Sequence, residues 1–174
     1  MISKKCTESL EQFLEQVAHH GSWFGGGSVA AFSAALAAAL LEKTLGPSPA
    51  SGRLHRIRRE CVTLIRRDAQ AFARAIQAAR AGRREAFRRA LRRAIDIPCR
   101  VVERAQAIRA MSHSYHAAIA PAFQSDRACA EALAKASAES ARALIAANLA
   151  WLGDRGYTQQ IRRRLRHALP RDGR

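Results

Sequence analysis

Between Gly21 and Leu41 the chain reads GSWFGGGSVAAFSAALAAALL, with no charged residue anywhere in it. Gly25, Gly26 and Gly27 leave a backbone free of Cβ atoms, so a ligand or another chain segment can approach its N–H groups closely. Ser28 suits an N-cap, and the alanine-rich run behind it is a strong helix former. A bare loop therefore feeds a helix N-terminus, where unpaired N–H groups and the helix dipole favour an anionic or carbonyl oxygen. A glycine run can also be no more than a flexible turn. A membrane span fits less well, because the apolar part covers only Val29 to Leu41 and a bilayer needs roughly 20 such residues. The expectation is a core helix to which the rest of the chain is fitted.

A length of 174 residues gives room for one domain with a sizeable core. Abundant alanine, 6% aromatic residues and little valine or isoleucine point to an all-α bundle with close helix packing. The N-terminal segment MISKKCTESLEQF lacks the apolar stretch of a secretory leader, which predicts a cytoplasmic protein. Cys6, Cys61, Cys99 and Cys129 are scattered and form no C-x-x-C, so they read as reduced core or interface thiols. The formal net charge of +16 is mostly arginine, much of it between Arg53 and Arg109. It fits either a solvated arginine-rich face or a surface that draws polyanions. No zinc-finger, RNP or basic-zipper pattern sharpens the nucleic-acid reading.

Apolar residues at helical spacing predict a first helix from a Thr7 cap through Leu10, Phe13, Leu14 and Val17 to about His19. A second runs from Val29 to Thr44, and Leu45–Gly52 breaks the chain. A third, capped by Ser51, carries the stripe Leu54, Ile57, Cys61, Leu64, Ile65, Phe72 and Ile76. Asp68 lies inside that stripe, four residues from both Leu64 and Phe72. A carboxylate there must be paired, hydrogen-bonded or shifted in pKa, as a structural ion-pair member or as an active-site acid or base. After Gly82 a fourth helix spans Arg84 to Met111 and is bent by Pro98, which lacks an N–H. His113 and His116 have no carboxylate or third ligand nearby in sequence, so no metal site is expected. Ser125 and Asp126 open a fifth helix, rich in small residues, that reaches Leu152. Within it Asn148 lies among Leu144, Ile145 and Leu152 as an amide needing partners. Asp126 also reads as a first-turn acid favoured by the dipole. A last helix, Thr158 to Leu169, ends at Pro170. The chain thus reads as one domain over 1–174, with 158–174 a basic peripheral tail.

The order of these pieces resembles one family. Phe13-Leu14 precedes Gly25-Gly26-Gly27-Ser28-Val29-Ala30-Ala31. Asp68-Ala69-Gln70-Ala71-Phe72 and Ile97-Pro98 follow on long helices, and Ser125-Asp126 heads the helix that reaches Asn148-Leu149. From about Leu10 to Tyr157 the chain is similar to the cyclodeaminase/cyclohydrolase family, typified by the C-terminal domain of formimidoyltransferase-cyclodeaminase. The resemblance implies an all-α homodimer that binds tetrahydrofolate derivatives. It implies either release of ammonia from 5-formiminotetrahydrofolate to give the 5,10-methenyl form, or hydrolysis of 5,10-methenyltetrahydrofolate to 10-formyltetrahydrofolate. Both reactions pass through a tetrahedral carbon between N5 and N10 and need proton transfers but no metal or redox cofactor. Asp68 and Asp126 would be the acid/base groups, Gly25, Gly26, Gly27 and Ser28 the cradle, and Asn148 an orienting amide.

Two segments depart from the pattern. Ser22-Trp23-Phe24 stands where relatives usually have Thr-Pro. Gly46 is followed by Pro47-Ser48-Pro49 rather than lysines, so Lys43 or Arg53 would have to meet the substrate's charge. Folate tails are polyanionic, which suits the basic surface without invoking nucleic acid. The departures also motivate a second reading, a catalytically silent helical module that binds a partner protein or RNA.

Overall fold

The computed structural model describes residues 4–167, with side-chain surroundings for 9–166. Among them the chain forms six α-helices and no strand: α1 (Lys4–Ala18), α2 (Gly26–Leu45), α3 (Pro49–Arg80), α4 (Arg84–Ser114), α5 (Gln124–Leu152) and α6 (Arg155–His167). Two single turns of 3-10 helix, His116–Ala118 and Pro121–Phe123, carry the chain from α4 to α5. The fold is all-α, as its composition requires.

Helix α2 sits at the centre, packed by α3, α4 and α5. It is long and apolar enough to cross a bilayer, yet Ala30, Ala31, Ala34, Ala37, Ala38 and Leu41 are buried against those neighbours. Alanine makes this possible, because side chains of one carbon let helix backbones come close. The contact with α5 shows how close. Buried Ser137 donates to the Ala30 carbonyl at 2.7 Å, across from Ala134, Ala138 and Ala141. The larger side chains, among them Leu54, Leu64, Leu91, Ile95, Val101 and Ile108, fill the space where α3 and α4 pack on this centre. Cys61 and Cys99 are buried there, and burial pushes both thiols up to about 12. Cys129 is exposed.

Several helix ends differ from the sequence expectation for local reasons. Helix α1 is already formed at Lys4, so Thr7 lies inside it rather than capping it. The cap of α3 is Ser48, not Ser51. Ser48 accepts from the Ser51 N–H at 3.2 Å, the Ser51 hydroxyl returns to the Ser48 backbone N–H at 3.0 Å, and Pro49 begins the helix. Serine at both ends of a capping box satisfies two N–H groups that either serine alone would leave open. The breaker is therefore shorter than Leu45–Gly52. Helix α5 ends at Gly153 in the left-handed region at φ 66. Asp154 then opens α6, accepting from the Tyr157 N–H at 3.0 Å and tying Arg88 and Arg92 of α4 to the same carboxylate. Arg164 pairs with Glu103 and Asp96, and Ile161 is buried, so α6 lies fastened along α4. Leu169 and Pro170 lie outside the described residues.

Candidate functional site

The first turn of α2 has no cap of its own. Its N-cap is Gly25, extended at φ −130 and ψ −156, with no side chain to accept from the free N–H groups behind it. Ser28, expected as the cap, instead sits in the first turn and is fully buried. Its hydroxyl proton is shared between the Ile65 carbonyl at 3.0 Å and Asp68 Oδ2 at 3.3 Å, both on α3. The Ser28 backbone N–H also donates to the Asp68 carboxylate. Asp68 thus caps α2 from a different helix.

Glycine is what permits this. A Cβ at Gly27 would lie 2.2 Å from Asp68 Oδ1 and 2.4 Å from both Oδ2 and Cγ, well inside any real contact. At Gly26 a Cβ would meet only Leu144, at 3.5 Å, and at Gly25 nothing within 4 Å. Of the three glycines, Gly27 is the one whose missing side chain the carboxylate occupies.

Burial is the larger influence on Asp68 and opposes ionisation, while the Ser28 hydroxyl and N–H favour it. Burial wins, and the carboxyl is pushed up to about 6. A group there changes protonation near neutrality, which an acid/base catalyst requires.

The carboxyl faces a hollow of about 130 Å³ lined by the glycine loop, Trp23, Phe72, Leu144, Pro98 and Asn148. Trp23 and Phe72 meet edge to face with centroids 6.5 Å apart. Both are more than a third exposed, so the apolar stripe of α3 ends at the mouth of the hollow rather than in the core. On the opposite wall Pro98 lacks the N–H that would bond the Ala94 carbonyl one turn earlier. Asn148 Nδ2 supplies the missing donor at 3.3 Å. The proline does not break α4, which runs through it. The Pro98–Asn148 relation and the Trp23–Phe72 pair went unforeseen in sequence, although a mid-helix proline always announces a carbonyl in want of a donor.

Asp68, Gly25, Gly26, Gly27, Ser28 and Asn148 are brought together. Lys43 and Asp126 are not with them. They pair with each other at 2.8 Å beside the Phe123 ring. Lys43 lies near the other end of α2, roughly 24 Å along the axis from Gly27 at 1.5 Å per residue. Among the described residues no three His, Cys, Asp or Glu side chains group as metal ligands. A larger groove, of about 670 Å³, lies outside the α3–α4 seam, but its one carboxylate, Asp96, is held by Arg164. The smaller hollow is the stronger candidate for chemistry, because among the described residues it joins a carboxyl pushed up to about 6 to a bare backbone and apolar walls.

The family model described as formiminotransferase-cyclodeaminase matches residues 9–167. Among solved structures the chain is similar to formiminotetrahydrofolate cyclodeaminase from Thermotoga maritima. The TM-score is 0.82 at 20% identity, covering 91% of this chain and 87% of that one. At such identity the likeness establishes the fold. No curated protein matches the chain in sequence.

Proposed function

The chain belongs to the formiminotransferase-cyclodeaminase family, and from that premise we propose that it closes 5-formiminotetrahydrofolate to the 5,10-methenyl form with release of ammonia, using Asp68 as the proton carrier. The observation that carries this reading is a carboxyl titrating at about 6, held against a side-chain-free backbone in an apolar hollow. At pH 7 such a group is ionised about ten to one. Attack of N10 on the carbon of the protonated formimino group (–CH=NH2+, an amidinium at neutral pH) gives a tetrahedral centre with a protonated N10 and a neutral amino group. The carboxylate takes the N10 proton and returns it to the amino nitrogen, the C–N bond breaks, and neutral ammonia leaves. The proton removed from one nitrogen is the proton the other needs, so one carboxyl suffices.

The same group can activate water for attack on a methenyl carbon, so cyclohydrolase activity is the related outcome. The cationic methenyl product would also find a counter-charge in the ionised carboxylate. The partly exposed rings of Trp23 and Phe72 offer the pterin an aromatic contact at the mouth. The hollow is below the roughly 300 Å³ at which ligand pockets begin, so it takes the reacting end of a folate and leaves the tail outside.

Uncovered apolar side chains on α1 and α2, including Leu10, Leu14, Val29 and Leu36, support pairing of two copies. Lys43 and Asp126 enter the reaction only if such a second copy carries them to the hollow.

Appearance of the methenyl chromophore from the formimino compound, with stoichiometric ammonia, tests the reading. The native chain should exceed the spontaneous rate, and Asp68→Asn should lose at least about 100-fold in kcat. Turnover that survives Asp68→Asn unchanged would remove Asp68 from the mechanism. A native chain that neither forms nor consumes the chromophore would remove the enzyme.

A further inference from the structure

Two groups stand out among the arginines of α3, α4 and the turn between them. One group is matched to carboxylates: Arg58 to Glu42 at 2.9 Å, Arg104 to Glu60 at 2.9 Å, and Arg88 and Arg92 to Asp154 at 3.2 and 2.8 Å. The other group converges on the groove of about 670 Å³ outside the α3–α4 seam. Arg67 and Arg74 line one wall, Arg89, Arg93 and Arg100 the other, and Arg83 closes one end. Among the described residues, Arg100 alone of these six has a carboxylate within reach, Glu60 at 4.0 Å, and Glu60 is already engaged by Arg104. The single carboxylate of the lining, Asp96, is paired with Arg164, a guanidinium it shares with Glu103. Among the described residues the groove therefore gathers six guanidiniums against one lining carboxylate, so most of their mutual repulsion is uncompensated.

We infer that this groove is a binding site for a linear chain of phosphate groups, recognised through its phosphates alone. Length, stereochemistry and the absence of stacking surfaces support it. From Arg89 to Arg100 the wall extends roughly 16 Å at the helical rise, so it spans several anionic groups in series. A carboxylate presents two oxygens in one plane and is satisfied by one guanidinium fork. A phosphate is tetrahedral and can accept from forks on both walls at once. Among the lining residues there is no aromatic side chain on which a base could stack. A ligand that offers charge without bases, a linear polyphosphate, fits the groove best. This site lies apart from the Asp68 hollow, on the other side of the α3–α4 seam, and does not depend on the folate reading.

The test uses the full chain and inorganic linear polyphosphate, with binding followed by fluorescence anisotropy across a salt series. One variant removes four groove charges (Arg67→Gln, Arg74→Gln, Arg89→Gln, Arg93→Gln). A control removes four arginines that make no ion pair among the described residues and lie outside the groove (Arg59→Gln, Arg155→Gln, Arg162→Gln, Arg163→Gln). The groove variant should bind at least about 10-fold more weakly and lower the slope of log K against log salt by about 3. The control should change affinity by less than about 3-fold. Circular dichroism verifies that both are folded, and the pair Arg67→Gln, Arg93→Gln repeats the comparison with less perturbation. Equal loss in both variants would reduce the effect to net charge and overturn the site. So would polyglutamate of equal charge binding as tightly as polyphosphate. An oligothymidylate with the same number of phosphates binding more tightly would show that bases contribute, and would overturn recognition through phosphates alone.

Discussion

Replacing Gly27 by alanine tests whether the glycine loop exists to admit Asp68. In a first helical turn with ordinary negative φ, Gly→Ala should stabilise by roughly 0.4–1 kcal/mol, since it reduces the freedom of the unfolded chain and improves helix propensity. Gly26→Ala should behave that way, because its new methyl meets Leu144 at an ordinary 3.5 Å. At Gly27 the same methyl would stand 2.2 Å from Asp68 Oδ1, so the carboxylate must retreat by more than about 1 Å to regain van der Waals distance. The Ser28 hydroxyl bond, 3.3 Å at the outset, has no such slack. Losing the two Ser28 donors to a carboxylate costs about 2–4 kcal/mol, and the propensity gain returns up to about 1. Gly27→Ala should therefore destabilise by about 1–3 kcal/mol where Gly26→Ala stabilises.

Urea unfolding of the two single variants measures that contrast, and a cycle with Asp68→Ala assigns its cause. With the carboxylate gone, Gly27→Ala should become neutral or stabilising, a coupling of more than about 1 kcal/mol. If Gly27→Ala proves as benign as Gly26→Ala, or if its cost persists without Asp68, the claim that the loop is shaped around the carboxylate is wrong.

Asp68 also sets a pH dependence. The folded carboxyl takes up its proton near 6 and the ordinary value is 3.8, so between those values the folded chain binds more protons than the unfolded one. The stability this gives is complete below about pH 4 and is lost as pH rises through 6. From pH 4 to 7 the native chain should lose about 1–3 kcal/mol relative to Asp68→Asn, read from paired denaturation curves. Ser28→Ala removes a donor that favours the ionised form, so the acidic limb of kcat/KM should move up from about pH 6, while stability falls by about 1–2 kcal/mol. Asn148→Ala should cost about 1–3 kcal/mol by orphaning the Ala94 carbonyl. In a Pro98→Ala background, where residue 98 regains its N–H, that cost should fall below about 0.5 kcal/mol in the same denaturation assay.

Elements with long apolar periodicity were legible in the sequence. Leu54, Ile57, Cys61 and Leu64 on α3 and Leu91, Ile95, Val102 and Ile108 on α4 all face the core as their spacing requires. Helix ends were less so, because capping is decided by which of several neighbouring serines or aspartates reaches an N–H. Spacing pointed to Ser51 as the cap of α3, whereas the chain caps with Ser48 and uses both serines in one box. Asp68 announced itself by standing in an apolar stripe, and the glycines by standing together. That the two meet is a long-range fact: Ser28 and Asp68 are 40 positions apart, and no local pattern encodes the crossing of α2 and α3. Lys43 and Asp126 are a similar case with the opposite outcome. Their residue types suit a site, and the fold ties them to each other at the far end of α2.

The structural use of Asp68 and the chemical use proposed for it are not rivals. As a cap it needs charge, because the free N–H groups and dipole of α2 reward an anion. As a proton carrier it needs a pKa near neutrality, which burial supplies by penalising that same charge. A side-chain cap on Gly25's own position would satisfy the helix locally and leave no reason to bury a carboxylate from α3. The glycine at the cap and the glycine at Gly27 therefore belong to one device. The first withholds a local partner, the second opens the space for a remote one, and the value of about 6 is the balance between them. Anything that widens the hollow admits water, weakens the burial penalty and lets the pKa fall toward the ordinary 3.8. The apolar walls formed by Trp23, Phe72 and Leu144 thus act on the proton without touching it.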